Sequence, residues 1–182
     1  MADIPTLEAQ QLPGYEAEIG AALWRMQDSR RRTIRLLGEI PSEFVDRAST
    51  DNTIGTILYH LGLIEADWLF TEILEEPFSA EIGTLLSLQD RDEAGVLTSV
   101  QGRSLEEHIA QLNAIRDTFL EKLSGMTLED FHRPRSLPRY HVSPAWVLHH
   151  LSQHEAEHRG EIESVVSCLT AGTAGGNTGS QS

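Results

Sequence analysis

The chain has 182 residues, about the size of one domain, and its 40% of hydrophobic residues can supply a core. Fourteen Lys and Arg against 28 Asp and Glu give a formal net charge of −14, which argues against a nucleic-acid partner, because phosphate binding needs a basic face. A single cysteine, Cys168, excludes a disulfide framework and any Cys-rich zinc site, and together with the absence of a bilayer-spanning apolar run or a secretory h-region it points to a reducing, cytoplasmic setting away from membranes.

Pro13-Gly14 precedes a first segment in which Tyr15, Ile19, Leu23, Met26, Thr33 and Leu37 recur at helical spacing, and Pro41 follows it. The run Ser49-Thr50-Asp51-Asn52 offers N-cap residues for a second segment, Ile54 to Leu74. Its stripe is Ile54, Ile57, Leu61, Ile64 and Trp68, and Pro77 closes it. Residues 39–93 hold thirteen acids against Arg47 and Arg91, a net of −11. A solvated surface that aids solubility is the favoured reading, and a docking face for a basic partner the alternative.

A stretch with Gly83, Gly95 and Gly102 leads to Ser104, whose spacing to Glu107 is that of a capping box. The third segment follows with Leu105, Ile109, Leu112, Ile115, Phe119 and Leu123, and Gly125 ends it. After Pro134 and Pro138, Ser143-Pro144 reads as an N-cap followed by a proline at the first helical position. The Gly/Ser/Thr-rich residues 171–182 predict a disordered tail on a single domain spanning 1–170.

No stretch alternates with period two for long enough to form a strand, so the chain predicts an all-α four-helix bundle. The connection between the second and third helices spans roughly 27 residues, whereas antiparallel neighbours need only 2–8. That length predicts a crossover joining a parallel pair.

The histidines concentrate on the fourth helix, where four of the eight fall within residues 149–158. With Val147 at 0° and about 100° per residue, Leu151, Ile162, Val165 and Leu169 define the core stripe. His154 and His158 fall in its middle, His150 on its edge, and His149 faces away. A lone His on an apolar face is ordinarily a hydrogen-bonded core residue. Two adjacent imidazoles without partners would cost several kcal/mol of desolvation, a penalty that a metal removes. Side chains at i and i+4 lie about 6 Å apart and can converge on one ion. His150, His154 and His158 span too much of the axis to chelate together, so a third ligand must come from another helix.

His60, on the flank of the second helix, offers it. Aligning Thr53 with Ser143 matches His60 with His150, Leu61 with Leu151 and Glu65 with Glu155. His108, His132 and His141 are weaker candidates. His154-Glu155-Ala156-Glu157-His158 also reads H-E-x-x-H, the zinc-protease signature with Glu as general base. That less favoured reading lacks a third ligand on a later segment. Glu155 and His150 are instead candidates to orient a ligand imidazole or a bound water.

His60 in LYHLGLIEADWL and HEAEHRGEI near the C-terminus resemble the DinB/YfiT-like superfamily of metal-dependent enzymes over roughly residues 15–169. The family pattern is a His in an H-L-x-x-x-E-like stretch of helix two, then H-x-x-x-H and R-G-Q-[IL] or a variant on helix four. It falls on His60, His154, His158 and Arg159-Gly160-Glu161-Ile162, with Glu161 in place of the usual Gln. The resemblance implies an up-down-down-up bundle whose three His hold a divalent ion such as nickel, zinc or iron. It further implies a homodimer, a small-molecule substrate, and S-transfer or isomerisation dependent on a low-molecular-weight thiol. A non-enzymatic metal-binding or stress-related module is the alternative.

Three neutral His leave an ion with open positions, as in a catalytic site. Cys168 lies about 15 Å along the helix from His158 at 1.5 Å per residue, too far to be the nucleophile. Any thiol would therefore be external. Arg133, Arg135 and Arg139 could hold a carboxylate on such a ligand, although a solvated loop is favoured.

Overall fold

A computed structural model describes residues 4, 6–48 and 51–175, with side chains to residue 172. Four long helices form the bundle: α1 (Ala17–Leu37), α2 (Ile54–Asp67), α4 (Leu105–Leu123) and α6 (Pro144–Gly175). Two short helices, α3 (Ala80–Leu85) and α5 (Leu128–His132), lie in the connections, as does a minimal hairpin of β1 (Arg135–Ser136) and β2 (His141–Val142). The chain is all-α apart from that hairpin.

Helix boundaries follow side-chain capping. The Thr53 hydroxyl accepts from the Thr56 amide and starts α2. The expected cap run lies just upstream, and Ser49 and Thr50 fall outside the described residues. Ser104 and Glu107 form the full reciprocal capping box on α4. Ser143 accepts from the Trp146 amide ahead of Pro144. Two expectations change. From Trp68 to Leu74 the second helix widens into π-helical turns, ending at Glu75 in the left-handed region. The fourth helix also runs to Gly175, into the stretch whose composition suggested disorder, because Val165 and Leu169 keep its inner face buried. Residues 176–182 lie outside the described residues.

Cross-helix pairs give the topology. Gly55 faces His108 and Gly62 faces Ile115, so α2 and α4 run parallel. Asn52 reaches Glu161 while His60 meets His154, so α2 and α6 run antiparallel. Tyr15 bonds the Leu120 carbonyl and Arg30 that of Leu112, so α1 opposes α4. The order is up-down-down-up, and the long connection is the crossover that the parallel pair requires. A Cβ on Gly62 would stand 2.9 Å from Ile115 Cδ1, so glycine there lets α2 and α4 approach closely.

The crossover also covers the outer side of α2, which is why that helix is buried all round from Ile54 to Gly62. The Leu88 amide donates to Tyr59 Oη at 2.8 Å and the Val100 amide to Thr56 Oγ1 at 3.1 Å. Across the middle of the bundle the apolar core is interrupted. One cluster holds Leu23, Met26, Phe70, Phe119 and Leu151; the other holds Leu37, Ile57, Leu61, Leu112 and Ile162. Between them lie Arg30, Glu65, Arg116 and Glu155, one from each long helix and all buried.

Candidate metal centre

His60 on α2 and His154 and His158 on α6 converge. One potential ligand nitrogen from each lies within 4.8 Å of the others. The Nε2 atoms of His60 and His154 are 3.2 Å apart. Two nitrogens on a tetrahedral ion with bonds of about 2.0–2.1 Å sit about 3.3 Å from one another. This pair therefore already stands at the separation of a chelating edge. The ring centroids of His60 and His158 are 4.9 Å apart, and those of His154 and His158 are 4.5 Å apart.

Two carboxylates set the ring orientations. His60 Nδ1 bonds Asp90 Oδ1, and His158 Nδ1 bonds Glu161 Oε2 at 2.8 Å. An ionised carboxylate only accepts, so Nδ1 carries the proton in both rings and Nε2 keeps its lone pair for the centre. Glu161 is held in turn by Asn52 Nδ2, which donates to its other oxygen at 3.0 Å. The crossover delivers Asp90, whose second oxygen is 3.3 Å from Arg91 Nε.

Burial keeps two of the imidazoles, His60 and His154, neutral. His154 is pushed down to about 3, by desolvation first and then by His158, His60 and His150 around it. Burial also lowers His60, against the opposing pull of Asp90. Both are unprotonated at neutral pH, the state a metal ligand needs. Three converging imidazoles, two of them with the outer nitrogen bonded to a carboxylate, fit a divalent ion.

Of the two neighbours singled out as orienting residues, Glu155 sits elsewhere and His150 lies beside His154. Glu155 does not touch a ligand imidazole. Its Oε1 accepts from Arg30 Nε at 2.7 Å and its Oε2 from Arg116 Nη2 at 3.3 Å. Glu65 takes the other side of the same network, accepting from Arg30 Nη2 at 2.7 Å and Arg116 Nη2 at 2.8 Å. Burial alone would raise Glu65, but the two guanidiniums hold it below the usual carboxylate range. A Glu155 so engaged cannot act as general base, which removes the zinc-protease reading of H-E-x-x-H. His150 stacks on Trp146 at 5.0 Å and lies 5.9 Å from the His154 ring.

Two of the three arginines ahead of α6 are also committed, and the third, Arg139, is exposed. Arg135 is buried and donates to the carbonyls of Ile73, Asp130 and Arg133, so it is neither a solvated loop residue nor available to a ligand. Arg133 pairs with Asp130. Cys168 is exposed on the distal part of α6.

Sequence reasoning missed Asp90 and the Arg30–Glu65–Arg116–Glu155 layer. A signal for the layer exists: each member follows a core residue by four positions, after Met26, Leu61, Leu112 and Leu151. Asp90 has no such marker. Among the described residues no helix is long and apolar enough to cross a membrane. A family model described as the DinB superfamily matches residues 25–162. No curated protein gives a significant match.

Proposed function

The chain belongs to the DinB superfamily, and on that footing we propose that it is a divalent-metal-dependent enzyme acting on a small molecule. The ion is held by His60, His154 and His158. The observation that carries this reading is the convergence of three imidazoles, two of them backed by carboxylates. A structural zinc site closes its coordination with four protein ligands, whereas three His leave room for a reactant. Bound there, a divalent ion would supply a Lewis acid able to hold a water or thiol as its anion near neutral pH.

The residues of the chain do the rest. Asp90 and Glu161 fix two rings with Nε2 inward, and burial of His154 keeps its lone pair free of a proton. Because Cys168 is remote and exposed, the nucleophile comes from outside the chain. The reaction class put forward is S-transfer or isomerisation with a low-molecular-weight thiol as co-substrate, and nickel, zinc and iron are the ions to examine.

Elemental analysis of purified protein beside His154→Ala tests the first step. Near-stoichiometric metal in the wild type and its loss in the variant are expected; equal metal in both overturns the assignment. At full occupancy, the protein is then incubated with bacillithiol, mycothiol or glutathione and a generic electrophile. Turnover with one thiol is expected, and no turnover with any favours a non-catalytic binding module.

A further inference from the structure

Between the start of α6 and the π-helical turns after α2 lies a pocket of about 410 Å³, within the range of roughly 300–1,000 Å³ of small-molecule sites. Trp68, Pro134, Tyr140, Val142 and Trp146 give it a largely aromatic and apolar wall, and His132, His141 and Ser143 complete the lining. The Trp68 and Tyr140 rings stack within 20° of parallel, and Trp146 stands 5.4 Å from Trp68. Tyr140 cannot swing freely, because its hydroxyl donates to the buried Glu72 Oε1 at 2.8 Å. Rigid aromatic faces of this kind bind flat groups at small entropic cost. No Asp, Glu, Lys or Arg lines the pocket among the described residues, so an uncharged group suits it.

One side chain, His150, stands between the tryptophans of the pocket and the histidine centre. The His150 ring stacks on Trp146 within 16° of parallel and lies 4.7 Å from Trp68 on the pocket side; its other neighbour, at 5.9 Å, is His154. We propose that this pocket is the subsite for a flat, uncharged aromatic or heteroaromatic group of the substrate, with His150 as the bridge to the end that reaches the three His. The link to the centre rests on the metal reading above; the pocket itself does not.

The three tryptophans provide the test. Trp24 lies on α1 beside Arg31, away from the pocket, so its indole N–H resonance is an internal control. Titration of ¹⁵N-labelled protein with naphthalen-2-ylmethanol, in chelator and again with Zn²⁺, should move the Trp68 and Trp146 indole signals saturably and leave Trp24 still. In Trp146→Ala, an exposed position, affinity should fall at least tenfold. No saturable shift, or equal affinity in the variant, overturns the subsite. So does loss of a dimer in Trp146→Ala without probe binding to the wild type, which would make this face an interface between copies.

With Co²⁺ at the triad, the probe's lines should broaden in the wild type but not in His154→Ala, which still binds the probe. Binding without broadening at stoichiometric Co²⁺ overturns the link to the centre. If the protein takes up no Co²⁺, the metal reading fails and the link with it, while the indole shifts still decide the pocket.

Discussion

At the level of single residues, the centre depends on which nitrogen each ring offers, and that is decided one bond further out. Asp90 holds His60, and Glu161, steadied by Asn52, holds His158. Among the described residues His154 has no carboxylate hydrogen-bond partner of this kind; burial, and after it the neighbouring His158, His60 and His150, keep it neutral. Removing an orienting carboxylate typically costs a metal site about 10–100-fold in affinity. Asp90→Ala should therefore weaken Zn²⁺ binding by about that factor in competition with a chromogenic chelator. Asp90→Asn, which keeps an acceptor for Nδ1–H, should lose less. Unchanged affinity in Asp90→Ala would show that His60 is oriented by its burial alone. Glu161→Gln has one oxygen for two donors, His158 and Asn52, so a smaller loss than in Asp90→Ala is expected in the same assay.

At the level of helices, the buried charges tie all four long elements together. Arg30 and Arg116 face Glu65 and Glu155 in a layer of zero net charge between two apolar clusters. Removing one member of a buried charge network leaves an uncompensated ion and costs about 3–5 kcal/mol, whereas replacing a whole pair with apolar groups is often nearly neutral. Arg30→Met should show the larger cost in urea unfolding with chelator present. Arg30→Met/Glu155→Leu retains the neutral Arg116–Glu65 pair, so it should recover much of that loss. Strictly additive losses in the double variant would mean that the four residues do not act as a unit. The layer was partly legible in the sequence. The helical stripe of α1 skips from Met26 to Thr33, and Arg30 sits in the gap. The alignment of Glu65 with Glu155 marked equivalent positions on α2 and α6 without revealing that they share partners. A charged residue on a core stripe was read past because its counter-ions lie on other helices, 35 to 125 positions away.

For the molecule as a whole, helical periodicity, capping residues and the length of the crossover foretold the bundle, and the i,i+4 spacing of His154 and His158 foretold that their rings would meet. The path of the crossover was not legible: Asp90 reaches His60 only because Leu88 and Val100 pack across α2, and no local pattern marks residues 86–100 for that course. His108 shows a related cost of this arrangement. It is 1% exposed, packed where a Cβ on Gly55 would approach its Nε2 to 3.0 Å. Neither ring nitrogen has a hydrogen-bond partner among the described residues. Burial pushes its pKa down first, Arg103 adds to this, and Asp46 and Glu107 oppose it. The folded value thus lies below the ordinary His value of about 6.5, so the unfolded chain binds more protons below that pH. The stability His108 confers is present above about pH 6.5 and is lost as pH falls, by at most about 1.4 kcal/mol per pH unit. His108→Met fills the site without a titrating group. In chelator, where His60 and His154 titrate alike in both proteins, the variant should lose less stability between pH 7 and pH 5 in urea unfolding. Parallel losses would mean that a buried water or local opening lets His108 take up its proton without unfolding the bundle.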